Sequence, residues 1–203
     1  MKPYSEACER NRSPILGVLR EALAAARDVL EIGSGTGQHA AYFAGHLPHL
    51  IWHASDLPEH HEGISAWIAE AALPNLRAPV ALDVREGRWP LQVVDAVFTA
   101  NTLHIMDWAS VQAAFEGIGR VLTAQGTLVV YGPFNDGGRF TSDSNARFDQ
   151  MLRARGVGSA LRDVEAVNAL AQGIGLELAC DVPMPANNRT LVWRCVKNSA
   201  AVV

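Results

Sequence analysis

The chain has 203 residues, a hydrophobic share of 49% and a formal net charge of −4 at pH 7. That length suits one domain with a sizeable core, and the mild acidity excludes a basic footprint for nucleic acid. No run of about 18 apolar residues is present, which excludes a membrane-spanning helix, and the polar start MKPYSEACERNRSP has no apolar signal core.

In chain order, Tyr4–Asn11 reads as a polar tail. Ser13 and Pro14 read as an N-cap followed by proline at the first helical position. Leu16, Leu19 and Leu23 then mark one helical face as far as about Ala26. Val29–Ile32 is a short apolar strand, Gln38–Leu47 a helix and Leu50–Ser55 a second strand. A helix within Glu59–Ala72 precedes a third strand at Pro79–Leu82 and a fourth at Val93–Ala100. A helix within Ala109–Leu122 leads to the strand Thr127–Tyr131. Such alternation predicts crossover connections and a parallel sheet covered on both faces.

The end of the chain departs from this rhythm. Helices over Ser142–Arg155 and Val164–Gln172 precede strands at Glu177–Val182 and Thr190–Val196. Seven residues separate those strands, too few for a crossover helix, so they pair antiparallel. Arg147, Arg153, Arg155 and Arg162 read as a solvated helix face.

The stretch VLEIGSGTG ends the first strand in three glycines, Gly33, Gly35 and Gly37. In an open parallel sheet, ligands lie beyond the carboxyl ends of the strands, which is where this turn sits. Its spacing is one residue short of the dinucleotide fingerprint Gly-x-Gly-x-x-Gly, and no Gly-Lys-Ser or Gly-Lys-Thr follows. Glu31 would repel a diphosphate, whereas it suits a cation. S-adenosylmethionine has a sulfonium, an ammonium and a carboxylate but no phosphate, and a helix N-terminus favours that carboxylate.

Two further carboxylates extend the pattern. Asp56 follows the second strand, nineteen residues after Gly37, and is placed to accept both ribose hydroxyls. Asp83 follows the third, placed to accept the adenine amino proton with the Val84 N–H at a ring nitrogen. Each aspartate alone also reads as a cap or turn residue. Three such features at the ends of successive strands point to S-adenosylmethionine. The cluster Glu59-His60-His61-Glu62 lies in one turn with no second ligand set, and no metal site is predicted.

Taken together, VLEIGSGTG, Asp56, LDV at Leu82–Val84 and VDAVFTANTLHIMDW at Val94–Trp108 resemble the successive motifs of class I S-adenosylmethionine-dependent methyltransferases. More narrowly, SEACERNRSPIL, YGPF, FTSDSNARFDQMLRAR and MPANNRTLVWR resemble the uncharacterised family that includes methyltransferase-like protein twenty-six. The resemblance implies an α/β, doubly wound, Rossmann-like sheet of seven mostly parallel strands. Their order is 3-2-1-4-5-7-6, closed by a C-terminal antiparallel hairpin. It also assigns cofactor-binding roles to Glu31, Gly33, Gly35, Gly37, Asp56, Asp83, Val84 and Asn101. Asp95 belongs to the pattern but begins the fourth strand, far from the cofactor end, and is read as structural.

The acceptor is expected at the carboxyl ends of the fourth and fifth strands, among Asn101, Thr102, His104 and Tyr131. The loop before the last strand brings Asn187 and Asn188 to the same end. His104 is the histidine placed for proton transfer; its alternative role is to pack this loop or cap the next helix. By resemblance the N-terminal segment folds over the cofactor, with Glu9, Arg10 and Asn11 facing the site. One domain over residues 1–203 is thus expected, with residues 1–27 as a cover and 133–175 as an inserted helical wall. Both walls favour a small-molecule acceptor, methylated on O, N or S, with neither nucleic acid nor membrane as partner. Three scattered cysteines, Cys8, Cys180 and Cys195, without metal-ligand spacing predict a reduced, cytoplasmic protein. Two other readings remain: a nicotinamide-dependent oxidoreductase, and a non-catalytic S-adenosylmethionine-binding module that acts through a protein partner.

Overall fold

The computed structural model describes residues 2–196. The first helix, α1 (Glu6–Ala22), starts eight residues earlier than its proline suggests. Ser5 is the N-cap, its Oγ accepting the Cys8 N–H at 3.3 Å, and Pro14 lies inside the helix. An interior proline removes one backbone hydrogen bond and costs about 3 kcal/mol. Tertiary contacts of the first turns offset that cost. The Ser5 N–H donates to Gln38 Oε1, Asn11 Oδ1 lies 2.7 Å from His39 Nε2, and the Arg12 guanidinium covers the Tyr42 ring at 4.5 Å. What reads as a tail is therefore a packed helix.

The elements that follow are β1 (Asp28–Ile32), α2 (Gln38–His46), β2 (Ile51–Asp56), α3 (His61–Ala71), β3 (Val80–Ala81) and β4 (Val94–Ala100). Then come α4 (Trp108–Val121), β5 (Leu122–Gly132), β6 (Phe134–Asn135), α5 (Asp143–Arg153), β7 (Arg162–Asp163) and α6 (Val164–Gly173). The chain closes with β8 (Leu176–Met184) and β9 (Asn188–Cys195). Seven strands form one sheet in the order β3-β2-β1-β4-β5-β9-β8, which is 3-2-1-4-5-7-6 when its own strands alone are counted. β9 runs antiparallel to both β5 and β8, while the other pairs are parallel. The fold is the Rossmann-like one expected. The sequence pattern missed β6 and β7, which form a two-residue parallel pair outside the main sheet.

Strand alternation sends side chains to two cores. Val29, Trp52, Phe98 and Val129 face α1, α2 and α3, where Phe43, Trp52 and Phe98 pack with ring centroids 5.4–5.8 Å apart. Leu30, Val97, Leu128 and Trp193 face α4 and α6. With both faces covered, the openings of the sheet lie at its strand ends. Among the described residues no helix is long and apolar enough to cross a membrane.

At the amino end of β4, Asp95 Oδ2 accepts the N–H groups of Arg27 at 2.8 Å and Asp28 at 3.2 Å. It thereby ties the chain entering β1 to its neighbour, at the sheet end opposite the glycine turn. Asp95→Ala is expected to lower unfolding free energy by about 1.5–3 kcal/mol, the range for hydrogen bonds to a charged group. Urea denaturation measures this; an unchanged midpoint would show that water replaces the carboxylate at no cost.

Candidate functional site

Where the sheet order reverses, between β1 and β4, the turns at the carboxyl ends part and leave a cavity of about 980 Å³. Gly33, Gly35 and Asp56 line one end; Asn101, His104, Tyr131 and Asn188 line the other, and Arg10 and Asn11 of α1 close the top. With Thr102, ten of the residues assigned to the site from the sequence thus meet in one space. Glu9, which pairs with Arg12, and Glu31, Gly37, Asp83, Val84 and Asn187 are not among its lining residues.

The three glycines do different work. A Cβ on Gly33 would sit 2.7 Å from Thr102 Cγ2, and one on Gly37 would sit 2.8 Å from the Ile64 Cα. These two serve close packing of the turn against its neighbours. At Gly35 the backbone is left-handed, with φ +56°, and a Cβ would meet nothing within 4 Å, so the space above it is open to a ligand. The Gly35 N–H donates to Asp56 Oδ2 at 2.7 Å, while Asp56 Oδ1 accepts the Leu57 N–H at 2.8 Å. Asp56 therefore holds the turn and faces the cavity together.

Glu31 is buried beneath this turn, 2% exposed, and its Oε2 accepts the Trp52 indole N–H at 2.9 Å. Burial pushes its pKa up to about 7, with the nearby Asp56 charge adding to the rise and hydrogen bonds from Trp52 and Ser34 opposing it. A ligand would feel this group through its charge rather than by contact. Asp83 is bound by Arg85, whose Nε lies 2.9 and 3.1 Å from its two oxygens, and this pairing holds its carboxyl below the usual range. Val84 belongs to the core on the α4 face. Asn187 donates to Ser144 Oγ at 3.2 Å and thus ties the β8–β9 turn to α5 instead of facing the cavity.

The acceptor end is shaped by strain and by a clamp. Asn101 adopts φ +58° at the end of β4, and its N–H donates to the Tyr131 carbonyl at 2.9 Å, turning the chain into the cavity. His104 is 6% exposed and meets Phe148 edge-on, with centroids 5.3 Å apart. Burial first, then the Arg162 and Arg155 charges, push its pKa down to about 4, so the ring is neutral at pH 7. Arg162 is not on a solvated helix face. It lies in β7, where its Nε donates to the Leu103 carbonyl at 3.2 Å and its Nη2 to those of Met106 and Gly158. The Ser159 hydroxyl adds a bond to the Ile105 carbonyl at 2.5 Å. The loop carrying His104 is thus fastened to the segment after α5.

Sequence reasoning missed Ser5, Cys8, His39 and Phe148, all of which line the cavity. Nothing local in α5 announces the role of Phe148, because its partner His104 is 44 residues away. Within the Glu59–Glu62 cluster the two histidines diverge: His61 Nε2 lies 3.0 Å from the Asp56 carbonyl oxygen, while His60 Nε2 lies 3.9 Å from its carboxylate. Among the described residues, no group of three or more His, Cys, Asp or Glu side chains is arranged for a metal ion.

The family described as "Protein of unknown function (DUF938)" matches residues 2–195. Among solved structures, an O-methyltransferase family protein from Burkholderia thailandensis superposes with a TM-score of 0.83. Identity is 18% over 95% of this chain and 58% of that one. An O-methyltransferase family 2 protein from Planctomyces limnophilus DSM 3776, in complex with apigenin, gives 0.79 at 15% identity, covering 94% of this chain and 60% of that one. PigF with SAH gives 0.77 at 15% identity, covering 92% and 56%. At such identities the likeness is one of fold, and the chain spans 56–60% of the length of these neighbours.

Two predictions follow from the geometry. Gly35→Ala is expected to remain folded while filling space beside Asp56, whereas Gly37→Ala is expected to unfold at lower denaturant because its Cβ meets the Ile64 backbone. Equal losses of stability would contradict this division. Glu31 gives a pH signature. Since its folded value of about 7 lies above the ordinary 4.5, its stabilising contribution is complete below pH 4.5 and is lost as pH rises through 7. Glu31→Gln removes that loss, so relative to the native chain it should gain on the order of 2–3 kcal/mol between pH 4.5 and 8. Parallel stability curves for the two proteins would rule this out.

Proposed function

We propose that this chain, which belongs to the DUF938 family, is an S-adenosylmethionine-dependent methyltransferase acting on a small molecule. The observation that carries the reading is the meeting of an open Gly35 and the Asp56 carboxylate at one end of a cavity whose other end holds His104, Tyr131 and Asn188. A nucleoside ribose fits beside Asp56, because each carboxylate oxygen keeps a lone pair after accepting one backbone N–H. The turn carries no lysine for a phosphate, and Glu31 lies beneath it. The methyltransferase neighbours of the same fold support the reading.

When bound, S-adenosylmethionine supplies a methyl group on a sulfonium. The chain's part is to orient and to exclude water, which supplies much of the rate in such a displacement. Gly33 and Gly35 let the backbone approach the cofactor, Asp56 holds the ribose, and Asn101 borders the ring system. Asp83 reaches adenine once Arg85 swings aside, with the Val84 N–H beside it. Glu31 favours the cationic end as it ionises. Residues 1–27 act as a cover and 133–175 as a wall, and together they suit a small acceptor of O, N or S type. Arg10, Asn11, Tyr131, Asn187 and Asn188 contribute to its binding, the last two through the shape of the β8–β9 turn. His104, neutral at pH 7, is the candidate proton acceptor.

S-adenosylhomocysteine at a hundredfold over its dissociation constant is expected to stabilise the fold by about 2.7 kcal/mol. For a chain of this length that raises the melting temperature by roughly 5–10 °C. NAD and NADP should give no shift; a shift with NAD and none with S-adenosylhomocysteine would identify an oxidoreductase instead. Asp56→Ala is expected to weaken S-adenosylhomocysteine binding by roughly 30-fold or more in calorimetry, through loss of charged hydrogen bonds. Unchanged affinity would mean that another group holds the ribose.

A further inference from the structure

The two halves of α1 are built differently. After Pro14, the side chains of Ile15, Leu16 and Leu19 are buried in the core beneath the sheet face. Before it, none of residues 2–13 is fully buried, and most of their side chains are polar. Yet this first half supplies Ser5, Ala7, Cys8, Arg10 and Asn11 to the cavity. The proline also removes the N–H that would bond the Arg10 carbonyl, and its ring crowds that carbonyl. The two halves are therefore weakly joined.

A line of part-exposed contacts holds the first half down. Lys2 pairs with Glu70 at 2.5 Å and lies 3.6 Å over the Trp67 ring, whose indole N–H donates to the Pro3 carbonyl at 2.8 Å. Arg12 covers the Tyr42 ring, and Asn11 Oδ1 meets His39. Each such contact is worth little more than the ordering of the residues that make it. One atom then ties this segment to the glycine turn. Gln38 Oε1 accepts both the Ser5 N–H and the Thr36 hydroxyl, the latter at 3.2 Å. With two donors on the oxygen the amide cannot turn round, and Gln38 Nε2 is left buried without a partner among the described residues. A buried unpaired donor counts against the closed arrangement. Closure is thus finely balanced in the free chain, and a ligand that touches both the turn and the first half of α1 tips it shut.

We propose that residues 2–13 are a hinged cover that turns about Pro14 to admit and release the nucleoside ligand, and that Gln38 ties the closed cover to the glycine turn. The identity of the ligand rests on the methyltransferase reading; the hinge rests on the chain's own contacts. Closed, the cover completes the wall above the turn with Ser5, Cys8 and Asn11 and keeps water from the cavity. Open, it leaves the second half of α1 in place, because Ile15, Leu16 and Leu19 stay packed in the core. Entry and exit both wait for opening. A change in the stiffness of the hinge therefore alters both rates by the same factor and leaves the equilibrium nearly untouched.

The test is amide hydrogen exchange on the full chain, free and saturated with S-adenosylhomocysteine. In the free chain the helical amides of residues 9–13 are expected to exchange at least about tenfold faster than those of 15–22. The ligand should slow the first group by about tenfold and leave the second unchanged. Pro14→Ala restores the missing N–H, so stopped-flow binding should show association and dissociation both slowed about threefold to tenfold. Arg12→Ala removes the contact with Tyr42 without touching the cavity lining, and should speed both rates. In each variant the dissociation constant should move by less than about twofold. Equal exchange of the two halves in the free chain would overturn the hinge, as would bound S-adenosylhomocysteine that leaves residues 9–13 unprotected. Variants that change the dissociation constant through one rate alone would overturn it too. Failure of the native chain to bind S-adenosylhomocysteine would instead overturn the methyltransferase reading, while the exchange contrast in the free chain would still decide the hinge.

Discussion

The bond from the Gly35 N–H to Asp56 is the constraint on which the site depends. It joins the turn after β1 to the end of β2, the parallel strand that flanks β1 on the side away from β4. A left-handed residue without a side chain is needed for the N–H to point at the carboxylate and for the face above to stay open. Gly33 and Gly37 then let Thr102 and Ile64 press close, so the turn is held from three sides. A turn so fixed pays little ordering entropy when a ligand arrives.

Covering that turn requires α1, and this explains a helix that runs through its own proline. Ser5, Cys8, Arg10 and Asn11 reach the cavity only because the first turns are helical and pinned to α2. His39 is the buried anchor of this contact, and burial lowers its pKa to about 4. A neutral imidazole beside Asn11 places no extra charge at the centre of the molecule. The opposite wall is fastened by polar bonds of another kind, from Arg162 and Ser159 to the backbone of the His104 loop. The α1 wall is thus secured largely through side chains of α2, and the opposite wall through backbone carbonyls.

Charge completes the design. Carboxylates gather under the glycine turn, where Glu31 is kept near its ionisation point and Asp56 faces the cavity. Near the His104 loop, the Arg162 and Arg155 charges help to keep the imidazole neutral, with Asp107 and Asp149 close to Arg162.

Several features were legible from the residues alone, for physical reasons. Strands buried on both faces read as apolar runs, glycines at a strand end announce a turn that a backbone must approach, and seven residues between two strands forbid a crossover. The alternating architecture and the closing hairpin followed from such local signals, whereas the strand order and part of the cavity lining, Asn101, Arg10 and Asn11 among it, came from the resemblance of the motifs. Local signals also misled. Ser13-Pro14 is a good helix start in isolation, and Arg162 looks solvated, because neither stretch shows what packs against it. The roles of Glu31, Asp83 and Asn187 depended on Trp52, Arg85 and Ser144, partners met only on folding. The sequence by itself determined the sheet, its turn and the chemistry grouped at the strand ends. The tertiary structure alone decided which of those groups face the cavity and what charge they hold, because burial and partnership arise between residues far apart in the chain.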